Sequence, residues 1–403
     1  MIVRYITLDA IFICLSVMSG IYYQMFFYGT LAKLLSLFFG CLAIAMYIFI
    51  LRRRNKPFVF WFGVLAYMFL VGITSANTWP EHSYTFVRLD FASIVFISIG
   101  FIFADSCFDE YREIIFKLII VCALIAGVVS LLQVVRGDVS LTDRYATISE
   151  NNRSYVLWGM LCNIFAYSGY SAIFSKEWRM PKIAVVVLYG ILGLFFQKRS
   201  IIVNVLMIII VGIYFYNKRD DLYTSNYKKF IRTIFIICGF AVVAMLLIRL
   251  NPNIQTLFDN TFSRLTSAKL DNYDRSREAN QFLEQSGFFR TILGYGIGYY
   301  YVDKSGLLHG MLHIGYYNIL YKGGVLYAAF WFYVLLKTVS ACWQLKRLNA
   351  YSVTCLCITL SVFVSLTFEF SWGETILPFC YMPFIGHICM LTQQVENQSE
   401  EYL

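Results

Sequence analysis

This chain has little charge. Only 14% of its 403 residues are Asp, Glu, Lys or Arg, while 59% are hydrophobic, and a soluble domain carries about 25% charged residues. So few charges cannot cover a soluble surface of this size, which leaves a polytopic membrane protein. A disulfide framework is also lacking. None of the eleven cysteines falls in the long polar stretch from Arg249 to about Leu312, and no zinc spacing appears, although Cys355 and Cys357 are close. They read as small apolar residues. No internal repeat is visible. No small-residue cleavage site follows the first apolar run, so that run is expected to be a retained span rather than a signal peptide.

What the chain does have is long apolar runs. A span needs about 17–25 apolar residues to cross roughly 30 Å of hydrocarbon. Twelve runs are read as spans: 5–23, 31–51, 58–74, 89–104, 114–135, 154–174, 183–196, 201–216, 231–248, 323–340, 352–368 and 376–391. The seventh and eighth are short, and only Gln197-Lys198-Arg199-Ser200 separates them, which predicts a tight helical hairpin. The expected class is an all-α polytopic membrane protein with one large loop. It divides into helices 1–9 (1–248), the loop (249–312), a loop helix with helices 10–12 (313–391), and a polar tail (392–403).

Loop cations set the orientation, because they collect on the cytoplasmic side. One alternate set of loops carries Arg52-Arg53-Arg54 and Lys56, then Lys176, Arg179 and Lys182, then Lys218, Arg219, Lys228 and Lys229, then Lys346 and Arg347. That set reads as cytoplasmic, with both termini inside and the 249–312 loop outside. The net charge of +9 is mostly this bias and implies no nucleic-acid partner.

Cations on the other side are therefore informative. Lys198 and Arg199 lie at the hairpin tip, Arg136, Arg144 and Arg153 before the sixth span, and Arg249, Arg264, Arg275, Arg277 and Arg290 in the large loop. Arginine predominates there, and its planar fork grips phosphate oxygens bidentately. A single such arginine, Arg264 or Arg290, is ordinarily a surface residue on headgroups or a nearby carboxylate. Arg199 is confined between two spans, where snorkelling to the interface is the plainer alternative.

Within the loop, 274–286 has helical spacing, with Ala279, Phe282 and Leu283 as an apolar stripe and Glu278 beside Arg277. It reads as an amphipathic helix on the outer leaflet. Leu293-Gly294-Tyr295-Gly296-Ile297-Gly298 follows. No strand–turn–helix unit frames these glycines, so a nucleotide loop is the weaker reading. A tight turn that brings backbone close to a helix or a sugar is the stronger one. Tyr295, Tyr299, Tyr300 and Tyr301 suit sugar rings and an interfacial belt equally. His309 and His313 are spaced to share a helix face, with Asn318 and Lys322-Gly323-Gly324 beyond, but no third metal ligand stands at a familiar spacing. Span interiors look nearly free of charge, with Lys33, Asp90 and Glu369 placed at helix ends.

Several of these patterns together resemble the bacterial O-antigen polymerase and ligase superfamily, which includes capsular repeat-unit polymerases. An arginine stands seventeen residues before the first glycine of a Leu-Gly-x-Gly-x-Gly turn (Arg277, Gly294). A histidine stands eleven before a glycine opening the next span (His313, Gly324). A Ser/Arg tip joins two spans, here as Lys198-Arg199-Ser200, and Arg144 with Asn151-Asn152 precedes the sixth span. The family histidine is usually followed by asparagine, whereas here Ile314 follows.

The resemblance implies a GT-C-like membrane glycosyltransferase of the bacterial inner membrane, without metal or cofactor. It would move a glycan from undecaprenyl pyrophosphate to an acceptor sugar hydroxyl at the periplasmic face, in O-antigen or capsule biosynthesis. His313 would be the base, and Arg199 and Arg277 would grip pyrophosphate, with Arg144 a weaker third. Lys198, Arg275, Glu278, His309, Tyr295 and Asn318 would support them. Expected partners are the lipid-linked oligosaccharide, inner-membrane lipids and a chain-length regulator. The alternatives are an O-antigen ligase acting on lipid A–core and, in another class, a lipid-linked oligosaccharide flippase.

Overall fold

The computed structural model describes residues 2–25, 30–53, 55–75, 83–136, 153–195, 199–218, 280, 283–284, 287–298, 300–302, 308–309, 315–366, 379 and 381–400. Among them the backbone is helical almost throughout. In chain order the helices are α1 (Ile2–Met25), α2 (Thr30–Ala45), α3 (Lys56–Ser75), α4 (Ser83–Phe103), α5 (Asp109–Arg136), α6 (Arg153–Phe174), α7 (Arg179–Phe195), α8 (Arg199–Lys218), α9 (Gly315–Trp343), α10 (Ala350–Ser365) and α11 (Met382–Glu400). A π-helical turn, Met46–Ile50, continues α2. One antiparallel pair, β1 (Tyr301–Val302) and β2 (Leu308–His309), lies between the polar segment and α9.

These helices fall where apolar runs were expected, except that the ninth run, 231–248, lies outside the described residues. The short seventh and eighth runs become helices of 17 and 20 residues, because the polar residues flanking them stay helical. Among the described residues, five helices are long and apolar enough to cross a membrane. On α3, Phe58, Trp61, Val64 and Met68 are buried, while Val59, Phe62, Phe69, Leu70 and Ile73 on other faces are exposed. A helix apolar on its open side as well as its packed side has hydrocarbon as its outer solvent. The chain is a helical membrane protein.

The described residues form two compact units. The first contains α1 to α4, the start of α5, the 280–309 pieces, α9, the end of α10 and α11. Here α1 and α2 form an antiparallel pair, joined by reciprocal bonds in which Ser16 Oγ donates to Ser36 O and Ser36 Oγ to Ser16 O, each 2.7 Å. Such pairs suit helices in lipid, where packing and interhelical hydrogen bonds replace the hydrophobic drive. Close approach comes from small residues: a Cβ added at Gly100 would lie 2.5 Å from Met382 Cβ. Trp61, Phe101, Tyr327 and Phe330 form the aromatic centre, with Trp61–Tyr327 centroids 5.7 Å apart and Phe101–Phe330 centroids 5.6 Å apart.

One end of this unit is tied by charge. Arg53 Nη1 meets Asp105 Oδ1 at 2.9 Å, and Tyr47 donates its hydroxyl to Asp105 Oδ2 at 2.8 Å. Buried Arg112 donates to the carbonyls of Phe103, Ala104 and Asp105, at 3.1, 2.9 and 3.0 Å. These carbonyls cluster where α4 ends, and one guanidinium reaches all three.

The second unit contains the remainder of α5, α6 to α8, and residues 344–357. In it α6 packs on both α7 and α8, and Tyr189 donates to Ala123 O at 2.9 Å.

Candidate functional site

The end of the first unit away from Arg112 holds the glycine turn. A helical segment, 287–293, closes where Gly294 N–H donates to Arg290 O at 2.8 Å. Gly294, Gly296 and Gly298 then take φ values of 77°, 80° and 82°, a region that side chains disfavour. The amides from Tyr295 to Ile297 turn toward carbonyls of α9 and α3. Tyr295 N–H donates to Tyr321 O at 2.8 Å, Gly296 N–H to Lys322 O at 2.9 Å, and Ile297 N–H to Met68 O at 3.3 Å.

Those α9 carbonyls are available for a local reason. Gly324 has φ 54° and ψ −148°, which breaks α9 so that its next turn cannot reach back to Tyr321 and Lys322. The helix opens at Gly315 rather than Gly324, and Gly324 is its kink. The same glycines let the chains touch: a Cβ on Gly294 would lie 2.6 Å from Gly324 N, and one on Gly296 would lie 2.6 Å from Met68 O. The turn is built for backbone against helix backbone.

Beneath it lies a buried ion pair. Lys322 Nζ is 2.8 Å from Asp90 Oδ2, with side chains 1% and 4% exposed. Gly298 N–H donates to the same oxygen at 2.8 Å. Burying two charges costs several kcal/mol per ion unless geometry and further hydrogen bonds offset it; here the amide supplies such a bond. Lys322 also lies over Tyr321 at 5.4 Å, Tyr321 packs on Tyr295 at 5.5 Å, and Arg290 covers Tyr295 at 5.7 Å.

This corrects the placement of Asp90 at a helix end. Its helix begins at Ser83, because the polar residues ahead of the apolar run are helical too, so Asp90 lies inside α4. Lys33 does sit in the first turn of α2, and Glu369 lies outside the described residues. Tyr295, expected to offer a face to sugar or lipid interface, is 7% exposed, packed between Tyr321 and Arg290. His309 is also corrected: it stands in β2 opposite Tyr301, so extended backbone replaces the helical spacing that would align it with His313. Asn318 is buried on α9.

Arg199 is the first residue of α8; nothing of its side chain is described. Lys198, Arg144, Arg275, Arg277, Glu278 and His313 lie outside the described residues, as do most of 274–286. Of that amphipathic segment, residues 280, 283 and 284 are helical and exposed. What sequence reasoning missed is the pairing of Asp90 with Lys322. The signal was present, as one acid and one base of opposite sign, each within apolar sequence.

No protein-family model matches this chain, and no curated protein matches it. The class rests on the fold: a helical membrane protein whose glycine-rich turn is seated on the backbone of α3 and α9 above a buried Asp–Lys pair.

Proposed function

We propose that this chain is a polymerase of lipid-linked oligosaccharide repeat units. An acceptor sugar hydroxyl attacks the anomeric carbon of the donor glycan, and the bond from that carbon to pyrophosphate breaks. His313 takes the hydroxyl proton, and undecaprenyl pyrophosphate leaves with its charge held by Arg199 and Arg277, assisted by Arg144. No metal takes part. In this reading the polar loop is periplasmic, twelve helices span the inner membrane, and both termini are cytoplasmic. The observation that carries the reading is the seated glycine turn. It ties the loop expected to hold Arg277, just ahead of the segment that opens with His313, to helix backbone at the end of the unit opposite the Arg53–Asp105–Arg112 cluster, where lipid-borne substrate would enter.

The test is an assay of the purified chain with lipid-linked repeat units and a chelator. A ladder of polymer is expected, and the absence of any glycan transfer overturns the proposal. Transfer only to lipid A–core would select the ligase.

One observation favours a second reading. Asp90 and Lys322 are paired inside helices, and intramembrane ionisable pairs mark transport paths as well. Movement of lipid-linked oligosaccharide across vesicle membranes without glycosidic bond formation would select a flippase.

A further inference from the structure

We propose that Asp90 is a positioning residue that pins the exit of the polar loop through the hydrogen bond it accepts from Gly298, with Lys322 serving to keep it buried. Five consecutive amides of the turn, Gly294 to Gly298, each donate to a defined acceptor. The first four acceptors are backbone carbonyls, those of Arg290, Tyr321, Lys322 and Met68. The fifth is the Asp90 carboxylate, 2.8 Å from Gly298 N. It is therefore the one fixing point of these five that a side-chain substitution can remove.

Its place in the chain gives it consequence. Gly298 closes the turn, and β1 begins at Tyr301 and pairs with β2, which holds His309. The chain re-enters the helical body at Gly315, whose N–H donates to Leu366 O at 2.9 Å. The stretch between Gly298 and Gly315, which includes His313, is thus fixed at both ends. Moving the first anchor changes where that stretch starts. A carboxylate suits this anchor because an ionised acceptor makes the stronger bond to an amide. Buried at 4% exposure, it needs a counter-charge, and Lys322 on the same oxygen provides it.

The functional arm rests on the proposed polymerase reading; the structural arm does not. Two double variants of the full chain separate acceptor from charge. Asp90→Asn/Lys322→Met removes both charges and keeps an acceptor, and Asp90→Leu/Lys322→Met removes both charges and the acceptor. Hydrogen–deuterium exchange is read on peptides over 294–302, with α4 and α9 peptides as controls for folding. In the Leu/Met variant the Gly298 region should exchange about ten- to a hundredfold faster, and kcat should fall while KM for the lipid-linked donor holds. The Asn/Met variant should keep both protection and most of kcat.

Equal exchange in the two doubles, whether protected or not, overturns the proposal. So does lost protection with kcat unchanged. A wild-type chain without transfer activity, but with the expected exchange pattern, instead defeats the polymerase reading and leaves the anchor standing. Asp90→Glu is the independent probe if a double variant fails to insert. It keeps the charge and lengthens the arm by one methylene, so it should raise exchange at Gly298 and lower kcat; unchanged exchange there overturns the anchor.

Discussion

Gly296 lies against Gly72, backbone to backbone, and neither position has room for a side chain. A Cβ on Gly72 would sit 2.9 Å from Ile297 O, and one on Gly296 would sit 2.6 Å from Gly72 Cα. Gly296 carries the further burden of φ 80°. Gly72→Ala should cost about 1–3 kcal/mol through overpacking alone. Gly296→Ala should cost more, since a left-handed conformation adds roughly 1–2 kcal/mol for a residue with a side chain. Thermal unfolding in detergent checks the order, and equal or reversed costs would contradict the geometry.

The Asp90–Lys322 pair should behave non-additively. Removing one partner strands a buried charge, so Asp90→Ala and Lys322→Ala should each lose about 3–5 kcal/mol. Replacing both with apolar residues of similar volume should recover most of that loss. Unfolding in mixed micelles measures the cycle; additive losses would mean that the charges do not depend on each other.

Arg112 offers a contrast between its buried and exposed bonds. Lysine at that position has no fork with which to span the carbonyls of Phe103, Ala104 and Asp105, so Arg112→Lys should destabilise by about 1–3 kcal/mol. Its ion-pair partner Asp109 is 64% exposed, so Asp109→Ala should cost less than about 1 kcal/mol. A larger effect from Asp109 would reverse the assignment of the stabilising contacts.

The proposed topology has a direct test. A reporter fused near Asn280 should behave as periplasmic and one fused after Gln393 as cytoplasmic. Both on one side would overturn it.

For the proposed chemistry, His313→Ala should lower the transfer rate about 10²–10⁴-fold, the usual loss when a general base is removed. His309→Ala should retain most activity. Arg277→Ala and Arg199→Ala should each lose about tenfold or more, with lysine restoring only part because it lacks the bidentate fork. Full activity of His313→Ala removes it from the mechanism. Loss of wild-type activity on adding chelator would point to a metal.

Much of the helical frame is legible along the chain. The apolar runs locate the described helices because a span is a local property: one segment must be apolar over its own length and satisfy its own backbone. The same reasoning erred at the edges. It started the α4 run at 89 although the helix starts at Ser83, since polar residues continue a helix without adding to its hydropathy. The glycine spacing at 294, 296 and 298 announced a tight backbone approach for an equally local reason, as left-handed φ favours residues without Cβ.

What the spacing could not say is which backbone the turn approaches. That Gly296 meets Gly72, that Gly298 bonds to Asp90, and that Asp90 meets a lysine 232 positions away are decisions of tertiary structure. Composition and hydropathy by themselves determined that this is a helical membrane protein, because lipid judges each segment alone. Only the fold decided which buried charges neutralise each other, because pairing depends on distance in space, and long-range contacts leave no period in the sequence.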